Sequence, residues 1–225
     1  MRIREVTITA TELGANAAFY REVLQLPVQA SAERVQVGIG ASRLVVTRGE
    51  AFSGVHHLAF GIAPRDFETA RRWLGERVDL LRVNDSEVID GPAAWDSRSL
   101  YFRGPEGILL ELIARQHDSG APAGDGAAPR LLSISEVGIG VPDVPEAVGA
   151  LRDTFGLPQF PPQLPTFAPI GDHDGLLILA DLDRIWFPTD ADRPARGPVA
   201  AHIELPDRHG KLALTAHADL EATVA

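Results

Sequence analysis

Short runs in which apolar and polar positions alternate recur along the chain. Ile3-Arg4-Glu5-Val6-Thr7-Ile8, Val55-His56-His57-Leu58-Ala59-Phe60 and Ile134-Ser135-Glu136-Val137-Gly138-Ile139 resemble one another, and each predicts a strand. Each is followed by an apolar stripe at helical spacing: Phe19, Val23 and Leu26; Phe67, Ala70 and Leu74; Val148, Leu151 and Phe155. Asp143, ahead of Pro145-Glu146, supplies an N-cap signal for the third helix. Further strands are predicted at 34–39 and 43–47 after the first helix, and at 99–102 and 108–113 after the second. The latter two are joined by the reversal Arg103-Gly104-Pro105-Glu106-Gly107. After the third helix the strand candidates are 175–179, 184–187 and 201–205. Asp172-His173-Asp174 reads as a polar hairpin turn, and the tail after Pro206 as a frayed end or short helix. The plan is β-α-β-β, repeated three times, in an α+β chain.

The run from Gln116 to Arg130, rich in Gly, Pro and small polar residues, buries too little apolar area to fold and predicts a linker. It divides the chain into 1–115, a linker 116–130, and 131–225. The balance of 21 Lys and Arg against 31 Asp and Glu, a formal charge of −10, repels phosphate backbones and anionic membranes, so neither nucleic acid nor a membrane is expected as a partner. With no cysteine, thiolate metal sites, disulfides and thiol nucleophiles are excluded, and any metal must be held by His, Asp or Glu. No signal peptide or long apolar span is read, which gives a cytoplasmic expectation.

Alternation sorts side chains onto two strand faces. Bulky apolar residues such as Val6, Leu58, Phe60, Leu110 and Leu112 occupy one face, turned towards the helices; Glu5, His57 and Glu111 occupy the other, among apolar or small neighbours. Taken singly, each is an ordinary solvated or hydrogen-bonded strand residue. Converging, two carboxylates would repel one another, and a divalent ion held by one imidazole and two carboxylates resolves that conflict. Asp90, Trp95 and Asp96 fall in a long segment able to cover such a site, or to form a plain solvated loop; Arg103 and Glu106 read as surface residues.

The segments Ala18-Phe19-Tyr20-Arg21-Glu22-Val23-Leu24, His56-His57-Leu58-Ala59-Phe60 and Leu100-Tyr101-Phe102-Arg103-Gly104-Pro105-Glu106-Gly107-Ile108-Leu109-Leu110-Glu111-Leu112, in that order, resemble the vicinal oxygen chelate superfamily. That superfamily includes glyoxalase I, methylmalonyl-CoA epimerase, extradiol dioxygenases, fosfomycin-resistance transferases and bleomycin-resistance proteins. The resemblance covers nearly all of residues 1–115. It implies tandem βαβββ modules forming a U-shaped open β-barrel, here with a third C-terminal module of the same kind. It also implies one divalent ion, of Mn, Ni, Co, Zn, Mg or Fe, bound by Glu5, His57 and Glu111. His56 points to the other face, and Val45 and Val46 fall where a further ligand of glyoxalase I would stand.

The departures narrow the implied chemistry. Extradiol dioxygenases use two His and one carboxylate, so Glu5 disfavours ring cleavage. What remains is a metal-dependent lyase or isomerase that acts on a small oxygenated metabolite through an enediolate, with Glu111 or Glu5 as the proton-transferring base. The alternative is a metal-free small-molecule binding protein of the bleomycin-resistance type. In the third unit, Glu136, His202 and Glu204 allow a second metal site, but a lone module lacks the opposing half of a pocket, and a structural role is expected for them. A module with an uncovered strand edge predicts a homodimer, unless the third unit folds back onto the first 115 residues.

Overall fold

A computed structural model describes residues 1–225. The chain forms four units, each opened and closed by strands that lie parallel to one another. The first contains β1 (Arg2–Ala10), α1 (Leu13–Ala18) with a π turn over Phe19–Val23, then β2 (Val28–Ala30), β3 (Arg34–Ile39) and β4 (Ser42–Arg48). The second contains β5 (His57–Ile62), α2 (Phe67–Gly75), β6 (Ile89–Asp90), β7 (Ser97–Arg103) and β8 (Leu109–Arg115). The third contains β9 (Leu131–Val141), α3 (Val144–Phe155), β10 (Phe167–Asp172) and β11 (Gly175–Asp181). The fourth has no helix and contains β12 (Val199–Leu205), β13 (Gly210–Thr215) and β14 (Ala218–Val224). The parallel pairs are β1 with β4, β5 with β8, β9 with β11, and β12 with β14.

All 14 strands belong to one unclosed mixed sheet. The units are joined across their opening strands, the second to the third through antiparallel β5 and β9, and the first to the fourth through antiparallel β1 and β12. The bridge between Ile3 and Ile134 links the two halves. This pairing differs from the expectation that the two modules within residues 1–115 cover each other. It also removes the ground on which a homodimer was expected, because the edge of β1 is covered by β12 and that of β5 by β9.

Residues beyond Pro206 form β13 and β14, not a frayed tail, since alternation in Leu212 and Leu214, and in Leu220 and Ala222, packs them on the core. Residues 184–187, expected as a strand, lie in the irregular connection between β11 and β12; Trp186 there is buried while Ile185 and Phe187 are exposed. The first helical stripe is displaced: Tyr20 and Leu24 are buried and Phe19, Val23 and Leu26 only half-buried, because the π turn shifts the face that meets the sheet. The other two stripes are buried as expected, and the Asp143 carboxylate accepts from the Glu146 N–H at 2.8 Å, capping α3. The 116–130 segment is anchored at two points, where the Asp66 carboxylate accepts from the N–H groups of Gly124 and Arg130 at 2.7 and 3.0 Å. No helix is long and apolar enough to cross a membrane.

The helix-side core unites Leu58, Phe60 and Ile62 of β5 with Leu110 and Leu112 of β8 and with the helices. A smaller cluster, on the opposite face, contains Ala59, Leu109, Ile113, Ile178, Trp95 and Trp186. The candidate site lies on this second face.

Candidate metal centre

His57 opens β5, Glu111 lies in β8, where it is paired with Ala59, and Glu136 lies in β9, opposite the same Ala59. A bulge sets the third position. Phe60 pairs with Ile134 while Ala59 pairs with Glu136, so Ser135 is extra, and Ile134 and Val137, three apart, both enter the helix-side core. Glu136 is thereby carried onto the open face. One ligand atom from each of His57, Glu111 and Glu136 lies within 4.8 Å of the other two, and all three residues are buried.

The His57 Nδ1 atom is 3.2 Å from the Leu109 carbonyl oxygen, which only accepts. In the neutral ring the proton therefore resides on Nδ1, and the Nε2 lone pair faces the carboxylates, with Nε2 3.6 Å from Glu111 Oε2. Burial lowers the His57 pKa to about 4, which keeps the ring neutral and able to act as a ligand. Both carboxylate oxygens of Glu111 are buried and lack a hydrogen-bond partner. Burial, and then the charge of Glu136, raises its pKa to about 8, with Ser99, Arg115 and Tyr101 opposing the rise. Two unpartnered carboxylate oxygens in the interior cost several kcal/mol unless a proton or a cation meets them.

Arg115, in β8 and on the same face as Glu111, is fully buried. It donates to the Glu136 carboxylate and to the Ser135 hydroxyl, and its guanidinium lies over the Trp95 ring, 5.4 Å from the centroid. Burial still raises the Glu136 pKa, against the effect of this ion pair. A cavity of about 150 Å³ opens beside the three ligands. Trp95, Tyr101, Phe167, Trp186 and Phe187 line it, and Asp90 and Arg184 add charge. Trp186 is fixed above His57, with ring centroids 5.2 Å apart, by its indole N–H donating to the Val55 carbonyl at 3.3 Å.

Of the three residues expected to share a site, the structure brings together His57 and Glu111 but not Glu5. The Glu5 carboxylate accepts from Arg43 Nε at 2.6 Å, and its strand neighbour is His202 of β12. It lines a separate groove with His202, Lys211 and Glu221. The physical reason is the order of pairing: β1 faces β12, and β9 faces β5, so Glu136 takes the position assigned to Glu5. Glu136, expected to be structural, is therefore part of the site, whereas His202 bonds Thr223 and Glu204 bonds Arg4. Asp90 and Trp95 do line the cavity; Asp96 does not, and its backbone carbonyl accepts from the Gln116 N–H. Arg103 pairs with Asp192, and Glu106 accepts from the N–H groups of Thr11 and Glu12. Arg115 and the loop carrying Arg184 and Trp186 are absent from the sequence-based set. Arg115 has a sequence signal, standing four residues after Glu111 on one strand face; the loop has none.

No protein-family model matches the chain, and no curated protein does. Solved structures share its fold. A Bacillus subtilis protein named "putative dioxygenase" superposes with a TM-score of 0.66 at 11% identity, covering 99% of this chain and 85% of that one. Glyoxalase I from Zea mays superposes with a TM-score of 0.57 at 16% identity, covering 89% and 74%. The chain shares the fold of these two proteins.

Proposed function

We propose that this chain is a divalent-metal-dependent lyase or isomerase that moves a proton next to a carbonyl group of a small oxygenated metabolite, through an enediolate. One observation carries the reading: both Glu111 oxygens are buried without a partner, and one of them lies within 4.8 Å of a ligand atom of His57 and of Glu136. This donor set fits an oxygen-preferring divalent ion with coordination positions left open for substrate. His57, Glu111 and Glu136 would hold it. When bound, the ion would polarise a substrate oxygen and stabilise negative charge developing there.

The chain's own groups divide the remaining work. Glu111, set at the bottom of the cavity, takes the substrate proton on a carboxylate oxygen and returns it. Arg115 orients the Glu136 carboxylate and opposes the rise that burial imposes on its pKa. The Leu109 carbonyl keeps the His57 ring in the tautomer that offers Nε2. Trp95, Tyr101 and Trp186 exclude water, which strengthens the electrostatic interactions inside. Glu5, in its separate groove, takes no part.

Elemental analysis of protein purified without added metal should find one divalent ion per chain. Across α-hydroxy ketones, hemithioacetals and acyl-CoA epimers, His57→Ala should abolish metal retention and turnover together. Glu111→Gln should reduce turnover about 10²–10⁴-fold and metal retention less, because an amide oxygen still ligates but accepts no proton. A second reading, a metal-free binding protein, is favoured by the Arg115–Glu136 ion pair, which with a protonated Glu111 leaves the cluster neutral and ion-free. Absence of turnover with every divalent ion, together with equal binding of an apolar ligand to wild type and His57→Ala, would establish that reading instead.

A further inference from the structure

The cavity is unevenly built. Its floor carries His57, Glu111 and Glu136, while its walls are aromatic, from Trp95, Tyr101, Phe167, Trp186 and Phe187. At about 150 Å³ it matches in size a cavity able to accept a benzene-sized guest. One ring or a compact branched group fills it.

Arg184 stands at the half-buried rim of the same cavity. Its guanidinium lies over the Phe167 ring, 5.0 Å from the centroid, and Nη1 donates to Thr166 Oγ1 at 3.0 Å. That is its whole set of partners within the chain, and no carboxylate pairs with it. The nearest acid in sequence, Asp183, is taken by Arg193 and Arg196, each at 3.6 Å. Asp90, the other charged group on the rim, is exposed and so screened by water, whereas Arg184 is half-buried, with its guanidinium over an aromatic face and N–H donors to spare. A planar cation held in place by stacking, with no carboxylate of the chain paired to it, favours a planar anion brought by the ligand.

We propose that Arg184 is a specificity-determining residue, and that the ligand is a ring-sized or branched apolar molecule with oxygen donors at one end and a carboxylate at the other. This rests on the reading of His57, Glu111 and Glu136 as the oxygen-binding end. The oxygens meet the three ligands, the apolar body fills the aromatic walls, and the carboxylate meets the Arg184 fork.

The test uses 3,4-dihydroxybenzoate, its methyl ester and catechol, which share vicinal oxygens and a ring and differ in the remote anion. Binding to the full chain loaded with redox-inert Zn(II) is followed by quenching of Trp95 and Trp186 fluorescence. The acid should bind about tenfold or more tighter than the ester, as expected for one charge-assisted hydrogen-bonded pair. Arg184→Gln should erase that preference and leave catechol affinity unchanged, while Arg184→Lys should retain part of it. Equal binding of acid and ester to wild type, a preference that survives Arg184→Gln, or binding of no probe would each overturn the proposal. The underlying metal reading fails separately: catechol would then bind equally with and without Zn(II), and the ratio of acid to ester would still report on Arg184.

Discussion

Arg115 is the residue on which the charge balance of the cluster turns. It is the one fully buried cation beside two buried carboxylates; its ion pair opposes the rise that burial imposes on the Glu136 pKa, while Glu111, lacking such a pair, is driven towards protonation. Removing one member of a buried pair strands the other, so Arg115→Met should lower the stability of metal-free protein by about 3–5 kcal/mol, read from the denaturant midpoint. A linked expectation concerns pH. The folded chain holds the Glu111 proton up to about pH 8, whereas the unfolded chain releases it near 4.5, so the folded state binds more protons and stability falls as pH rises between those values. His56 and His57 act oppositely: burial lowers both to about 4 from 6.5, so they add stability as pH rises through that lower window. Between pH 6.5 and 8 the contributions of His56 and His57 are complete and the Glu111 effect remains. Melts of metal-free protein should therefore show declining stability across that interval, the decline should vanish in Glu111→Gln, and metal affinity should rise over the same range as the proton leaves. His57 and Glu111 were legible in sequence because each is a polar residue on an apolar strand face. Glu136 carries the same signal, and the repeat aligns it with Glu5. What sequence could not supply was which copy faces β5.

At the scale of elements, the bulge at Ser135 explains why alternation alone misplaces β9. Strict period two would put Glu136 on the same face as Ile134; the extra residue breaks that rule, and β1 repeats the device, its register shifting between Ile3 and Glu5. The long α3 stripe with its Asp143 cap was readable, since an amphipathic helix and its cap are local features. The 184–187 segment was not, because its Arg-Ile-Trp-Phe order mimics a strand while its partners, His57 and Val55, lie far away in sequence. Gly138 links these two elements. A Cβ there would lie 2.9 Å from the His57 Cβ and from two atoms of the Trp186 ring, so one or both must shift. Gly138→Ala should therefore cost about 1–3 kcal/mol by overpacking. It should also weaken metal binding by displacing His57 and shift the Trp186 emission. An alanine variant with wild-type metal affinity and an unchanged spectrum would show that the loop yields without disturbing the ligand.

For the whole molecule, the decisive fact is that the site straddles the Gly- and Pro-rich segment between Gln116 and Arg130. His57 and Glu111 precede it and Glu136 follows it, joined through the β5–β9 ladder. The two halves of the sheet repeat one plan with different contents. In the half built from the first and fourth units, Glu5 pairs with Arg43 and Glu221 with Lys211, so side-chain cations neutralise those carboxylates and His202 bonds Thr223. Repetition made the architecture legible from sequence; it also hid the active pairing, because each strand had several copies as possible neighbours. Since one chain supplies all three proposed ligands, the aromatic walls and Arg115, the proposed metal occupancy needs no second copy. Dilution from about 100 to about 1 µM should leave the stoichiometry and affinity for a divalent ion unchanged, following mass action for a site within one subunit. Light scattering on the same samples separates association from site assembly: a 24.2 kDa species that retains its ion at both concentrations is the expected outcome. Loss of the ion on dilution, in step with a falling mass, would show that a partner copy completes the centre across a remaining sheet edge such as β13.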